Sequence, residues 1–151
     1  FDTMEGELSK ILFSVPAVKG VEFGDGFSLA AMRGSEANDP FALQNGRVVT
    51  LTNHSGGIGG GITNGMPLRF SVAIKPTPSI FRPQRTVDPI AMTEEELTVH
   101  GRHDPTVVHR ALHVLRAVCA FVLCDFLVRR YGTDSLVGGR FSALAKSEGC
   151  L

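Results

Sequence analysis

The sequence predicts an α+β fold in which an antiparallel β-sheet packs on long α-helices. Three features of the chain predict it. An amphipathic segment opens the chain, short β-type runs between Gly- and Pro-containing turns fill the middle, and a long apolar helical run lies near the end. The runs connect mostly as hairpins. With 151 residues and 43% hydrophobic content, the chain can bury one sizeable core and does not have the composition of a disordered segment.

Residues 2–14 read as the first helix, because Leu8, Ile11 and Leu12 fall on one face at i, i+3, i+4 spacing and Pro16 stops it. Val18 to Phe23 reads as a strand, Gly24-Asp25-Gly26 as a turn and Phe27 to Met32 as the hairpin partner. Gly34 to Asn45, polar and containing Pro40, is expected to be an exposed loop, and Val48 to Thr52 a short strand. A glycine-rich segment follows, in which five of the six positions from 56 to 61 are Gly. Leu68 to Ile74 is a strong strand, residues 80–93 a loop carrying Arg82 and Arg85, and Glu95 to Val99 a further strand. The longest helix is expected from about Thr106 to Arg130, with Asp104 as N-cap and Pro105 as first helical residue. Its middle is apolar nearly all round, from Val114 to Leu127, so burial on most sides is expected. Gly132 ends it, and residues 132–151 read as a flexible tail.

The 15 basic and 15 acidic side chains balance, which argues against a partner held by bulk electrostatics, such as nucleic acid or a membrane surface. Three cysteines at irregular spacing make no disulfide framework and fit reduced thiols in a cytoplasmic protein. The apolar run Val114 to Val128 is interrupted by Arg116 and Asp125 and falls short of the roughly 20 residues a membrane span needs. His109 and His113 share a helix face at i, i+4 but lack further ligands, so no metal site is expected. The start at Phe1, directly before a helical pattern, reads as a cut through a larger protein.

Three segments carry chemistry. In the first, Asn53 to Gly65, the glycines allow positive φ and close approach of a ligand to backbone N–H groups that can cradle anionic oxygens. It matches neither a P-loop nor a dinucleotide fingerprint. The second, Lys75-Pro76-Thr77-Pro78-Ser79, sets a cation and two hydroxyls on a proline-stiffened strand exit, which lowers the entropy lost on binding a phosphate. The third, Arg102-His103-Asp104, offers an anion clamp and a carboxylate able to act as a base. Each segment also has a plain structural reading: a packing loop, a stiff turn and a helix cap.

Taken together they resemble chorismate synthase. The resemblance is carried by Ala17-Val18-Lys19-Gly20-Val21-Glu22-Phe23-Gly24-Asp25-Gly26-Phe27, Arg33-Gly34-Ser35, Asn53-His54-Ser55-Gly56-Gly57-Ile58, Gly60-Gly61-Ile62-Thr63-Asn64-Gly65, Lys75 to Ser79 and Gly101-Arg102-His103-Asp104-Pro105, in matching order and approximate spacing over residues 2–130. It implies the 1,4-elimination that turns 5-enolpyruvylshikimate 3-phosphate into chorismate and phosphate, with reduced FMN and no net redox change, in aromatic amino-acid biosynthesis. It also implies a cytoplasmic homotetramer built on a β-α-β sandwich, of which residues 1–131 form the second half. Whether NADPH-dependent flavin reduction is built in stays open. By position, the flavin contacts fall on Pro16, Ala17, Gly60, Lys75, Pro76, Thr77, Pro78, Ser79 and Arg102, with the Ala17 contact open to serving either this subunit's flavin or a neighbouring subunit's. Arg102 also serves the substrate, and Asp104 takes the proton at flavin N5. The other half of the family's chain carries two histidines that act as acids, substrate-binding arginines and an Arg-Ser-Ser flavin segment, none of which occurs here. Gly59, Thr106, His109, His113 and Arg116 depart from the family's usual residues. The alternative expectation is therefore a catalytically inactive fragment with partial flavin-binding capacity.

Overall fold

The computed structural model describes residues 2–133; the expected tail lies almost wholly outside them. Helix α1 spans Met4–Phe13. Thr3 caps it, its Oγ1 accepting from the Gly6 N–H at 3.1 Å, and Glu5 and Glu7 suit the positive end of the helix dipole. Strand β1 (Val18–Phe23) pairs antiparallel with β6 (Phe70–Ile74), and this two-stranded layer lies beside α1. Three hairpins complete the β structure: β2 (Phe41–Gln44) with β3 (Arg47–Thr50), β4 (Ile58–Gly59) with β5 (Ile62–Thr63), and β7 (Gln84–Asp88) with β8 (Thr93–Leu97). The short α2 (Gly34–Ala37) precedes β2, and the long α3 (Val108–Tyr131) packs across α1. The core is where these elements meet: Leu8 and Leu12 of α1 are fully enclosed, with Val15, Val18, Ile58, Leu115, Cys119 and Val122 around them.

Several expectations change. Phe27 to Met32 is not a strand; Gly26–Ala31 forms a 3₁₀ turn, and β1 finds its partner more than 40 residues downstream in β6. The reason lies in the side chains: Phe70, Val72 and Ile74 alternate toward the core, whereas Phe27 has no apolar surface to meet and is 86% exposed. The loop expected over 34–45 contains α2 and β2, and the two-residue turn Asn45-Gly46, with φ of 51° and 77°, closes β2 onto β3. The loop expected over 80–93 contains β7, and the last strand is Thr93–Leu97 rather than 95–99. Four separate strand pairs stand where a single sheet was expected.

Helix α3 begins at Val108, not Thr106, and Asp104 does not cap it. The Asp104 carboxylate is drawn to Arg110 at 2.7 Å, while the Val108 N–H bonds Thr106 Oγ1 at 3.3 Å. The helix is also less covered than its composition implies: Leu115, Cys119 and Val122 are buried, but Phe121 is 71% exposed. With 24 residues it is long and apolar enough to cross a membrane by length and composition alone, a weak indication that core helices of soluble proteins also satisfy.

Candidate functional site

The β1–β6 pair positions the center of the site. The Lys75 N–H donates to the Ala17 carbonyl at 2.7 Å, extending the ladder one step past its ends. Ala17 makes this bond with φ at 71°, a left-handed conformation that costs a non-glycine residue about 1–2 kcal/mol. Directly after it the ladder slips: Val18 faces Ile74 but Gly20 faces Ala73, leaving Lys19 as a bulge. Ala17, Lys19, Lys75 to Pro78 and Val107 line one cleft of about 350 Å3.

The expected contacts Ala17, Lys75, Pro76, Thr77 and Pro78 therefore come together, across 58 positions of sequence, with the start of α3 against them. Thr77 Oγ1 is buried without a hydrogen-bond partner among the described residues. Gln84 Nε2 donates to the Pro78 carbonyl at 3.4 Å, which fastens β7 to the same segment. Phe81 packs edge-on against His103 (5.6 Å between ring centroids) and His100 (6.2 Å), so the 75–81 strand exit and the 100–104 loop are held side by side. His103 Nε2 is likewise buried and unpartnered among the described residues. Leaving such groups unmet costs about 1–3 kcal/mol each.

The remaining expected residues lie outside this cleft's lining. Arg102 and Asp104 are exposed, and Asp104 is held by Arg110. Pro16 is exposed beside Ala17, and Ser79 is half-buried. Gly60 sits with Gly61 at the β4–β5 turn, at φ of 60° and 85°. A Cβ on Gly60 would meet nothing, whereas one on Gly61 would strike Thr3 of α1. The glycine segment thus has an open side and a packed side. His109 and His113 are exposed, and no cluster of three metal-ligating side chains forms among the described residues.

A polar network that sequence reasoning passed over anchors the glycine segment. Asp25 accepts from His54 Nδ1 at 2.5 Å and is ion-paired with Arg69, which also donates to the Asn53 carbonyl at 3.1 Å. The His54 bond, followed by the Arg69 contacts, holds the Asp25 carboxyl below the usual range against the opposing effect of burial. Asp39 accepts from the His54 N–H (2.8 Å), the Ser55 N–H (2.9 Å) and Thr52 Oγ1 (2.6 Å). Partial burial opposes its ionisation, yet these donors lower its pKa from 3.8 to about 2. In the sequence Asp25 reads as a turn residue within a family-like stretch, and Asp39 as part of a polar loop. Nothing in the local sequence pairs either with residues 52–55.

The chain matches the family model described as chorismate synthase over residues 1–128. The chain belongs to the chorismate synthase family. It is 57% identical over 136 residues to a chorismate synthase of Thermococcus gammatolerans, covering 90% of this chain and 38% of that protein. It is 54% identical over 129 residues to one of Pyrococcus abyssi, covering 85% and 36%. A solved structure titled "Crystal Structure of Chorismate Synthase" superposes with a TM-score of 0.71 at 31% identity, covering 95% of this chain and 36% of that one. The chain thus spans under two-fifths of the length of these chorismate synthases.

Proposed function

We propose that this chain is part of a chorismate synthase, contributing one face of the site that converts 5-enolpyruvylshikimate 3-phosphate to chorismate and phosphate with reduced FMN. The observation that carries the reading is the cleft joining Ala17 to Lys75–Pro78, because it assembles segments whose joint order marks the family and Thr77 Oγ1 has no hydrogen-bond partner among the described residues. These residues fit a phosphorylated flavin: a lysine with no ion pair among the described residues, a threonine hydroxyl with no partner among them, and a proline-stiffened backbone that binds at little entropic cost. Ala17, Gly60 and Lys75 to Ser79, with Pro16 alongside, would hold FMN, which supplies electron-rich character to the elimination. Arg102, which is exposed, would grip an anionic group of flavin or substrate. Asp104 would accept the proton at flavin N5, its carboxylate oriented by Arg110. In the net reaction the C–O bond to phosphate breaks and a proton leaves the ring. A cytoplasmic homotetramer with a β-α-β sandwich, and residues 1–131 as its second half, belong to the same proposal.

A second reading, that the chain by itself is inactive and keeps partial flavin capacity, is favored by the exposure of Arg102 and Asp104 and by the uncovered apolar side of α3. One experiment tests both. The full-length protein and the 151-residue chain are each given reduced FMN and 5-enolpyruvylshikimate 3-phosphate, and chorismate is followed by absorbance. Turnover by the full-length protein alone fits both statements; a full-length protein that forms no chorismate would sink the first.

A further inference from the structure

Lys19 has no role in the reading so far, yet the backbone makes a special arrangement for it. Between Val18 and Gly20 the β1–β6 register slips, so Lys19 is the extra residue of a bulge, a device that re-aims a side chain out of a ladder. The slip comes two residues after Ala17, whose positive φ and bond to Lys75 fix the start of the same turn of chain. Lys19 lines the cleft that Lys75 and Thr77 also line. Neither lysine forms an ion pair among the described residues, although acidic side chains elsewhere are paired. Two lysines lining one cleft, neither ion-paired among the described residues, make it a site where a dianion would be favorable. The start of α3 at Val107 adds the positive end of a 24-residue helix.

We propose that Lys19, set out of the ladder by the β1 bulge, is a second phosphate-binding cation beside Lys75. The inference rests on the functional reading above and adds to it a residue and a ligand group: the phosphate oxygens of a phosphorylated ligand. That phosphate can belong to FMN or to the phosphorylated substrate, and the two sources separate experimentally.

The test uses the full-length protein with Lys19→Met and Lys19→Arg. Flavin fluorescence titrations compare FMN with riboflavin, and calorimetry measures 5-enolpyruvylshikimate 3-phosphate in the presence of oxidised FMN. Thermal unfolding checks that both variants fold. Removing one charge-assisted contact is expected to weaken binding roughly tenfold or more, with Lys19→Arg retaining most of the affinity. Loss for FMN with riboflavin unchanged assigns the flavin phosphate. Loss for the substrate with FMN unchanged assigns the substrate phosphate. Folded Lys19→Met that binds both ligands as tightly as the parent overturns the inference and leaves the functional reading standing. A parent protein that binds neither ligand removes both.

Discussion

The Lys75 N–H donates to the Ala17 carbonyl at 2.7 Å, and Ala17 holds a φ of 71° to receive it. This bond closes the cleft end of the β1–β6 pair and so fixes where the Lys75–Ser79 segment begins. Ala17→Gly removes the left-handed strain but adds freedom to the unfolded chain, so its net effect on stability is expected to be small, within about 1 kcal/mol. Ala17→Val cannot adopt this conformation easily and is expected to lose roughly 2 kcal/mol or more by urea unfolding, with weaker FMN binding. Equal stability of the Gly and Val variants would show that the left-handed conformation is not kept in solution.

The two glycines Gly56 and Gly60 share a positive φ, of 68° and 60°, but differ in surroundings. A Cβ on Gly56 would collide with the backbone of Gly24 and Arg69, whereas one on Gly60 would enter open space. Gly56→Ala is therefore expected to destabilise by roughly 3 kcal/mol or more, and Gly60→Ala by only about 1 kcal/mol. If Gly60 contacts flavin, the second variant nevertheless binds FMN less tightly. Denaturant midpoints and flavin titrations on the same two proteins read both effects. Similar midpoints would contradict the packing described for Gly56.

Stability should fall in acid because of Asp39. Its folded pKa of about 2 lies below the ordinary 3.8, so the unfolded chain takes up a proton first as pH drops. The contribution is complete above the unfolded value and is lost as pH falls from about 4 through about 2. Asp25, also held low by His54 and Arg69, acts in the same direction. Asp39→Asn is expected to lower stability at pH 7 and to flatten the acid limb of a stability–pH curve. An unchanged acid limb in this variant would show that Asp39 does not carry the effect.

The parts of the fold legible in the sequence were those that depend on local pattern. The α1 face of Leu8, Ile11 and Leu12, strand β1, strand β6 and the stop at Gly132 all follow from periodicity or a breaker. Pairing was less accessible, because β1 could join Phe27–Met32 nearby or β6 far away, and only the shared core decides. The Asn45-Gly46 turn was a readable signal for β2–β3 that the polar setting of Gly34 to Asn45 obscured. In the site, Lys75–Ser79 is legible from its own residues and Ala17 from family resemblance, but their contact depends on a ladder no single segment reveals. The Lys19 bulge is a register property and has no signature in the local sequence.

Asp104 gives the sharpest test of the proposed chemistry because its structural role is small. Its pairing with Arg110 is a surface contact, with side chains 47% and 77% exposed, and such pairs are worth roughly 0–1 kcal/mol. It does not cap α3, since Val107 holds that position. Asp104→Asn keeps the shape and removes the base, so the full-length variant is expected to fold with an unchanged melting temperature and to bind FMN. Its turnover should fall by about 10²–10⁴-fold, the usual span for a lost general base. Arg110→Ala leaves the carboxylate in place and should cost much less. If both variants lose activity equally, Asp104 acts through its ion pair rather than as a proton acceptor. If Asp104→Asn turns over normally, the proton leaves by another group and the assignment of Asp104 is wrong.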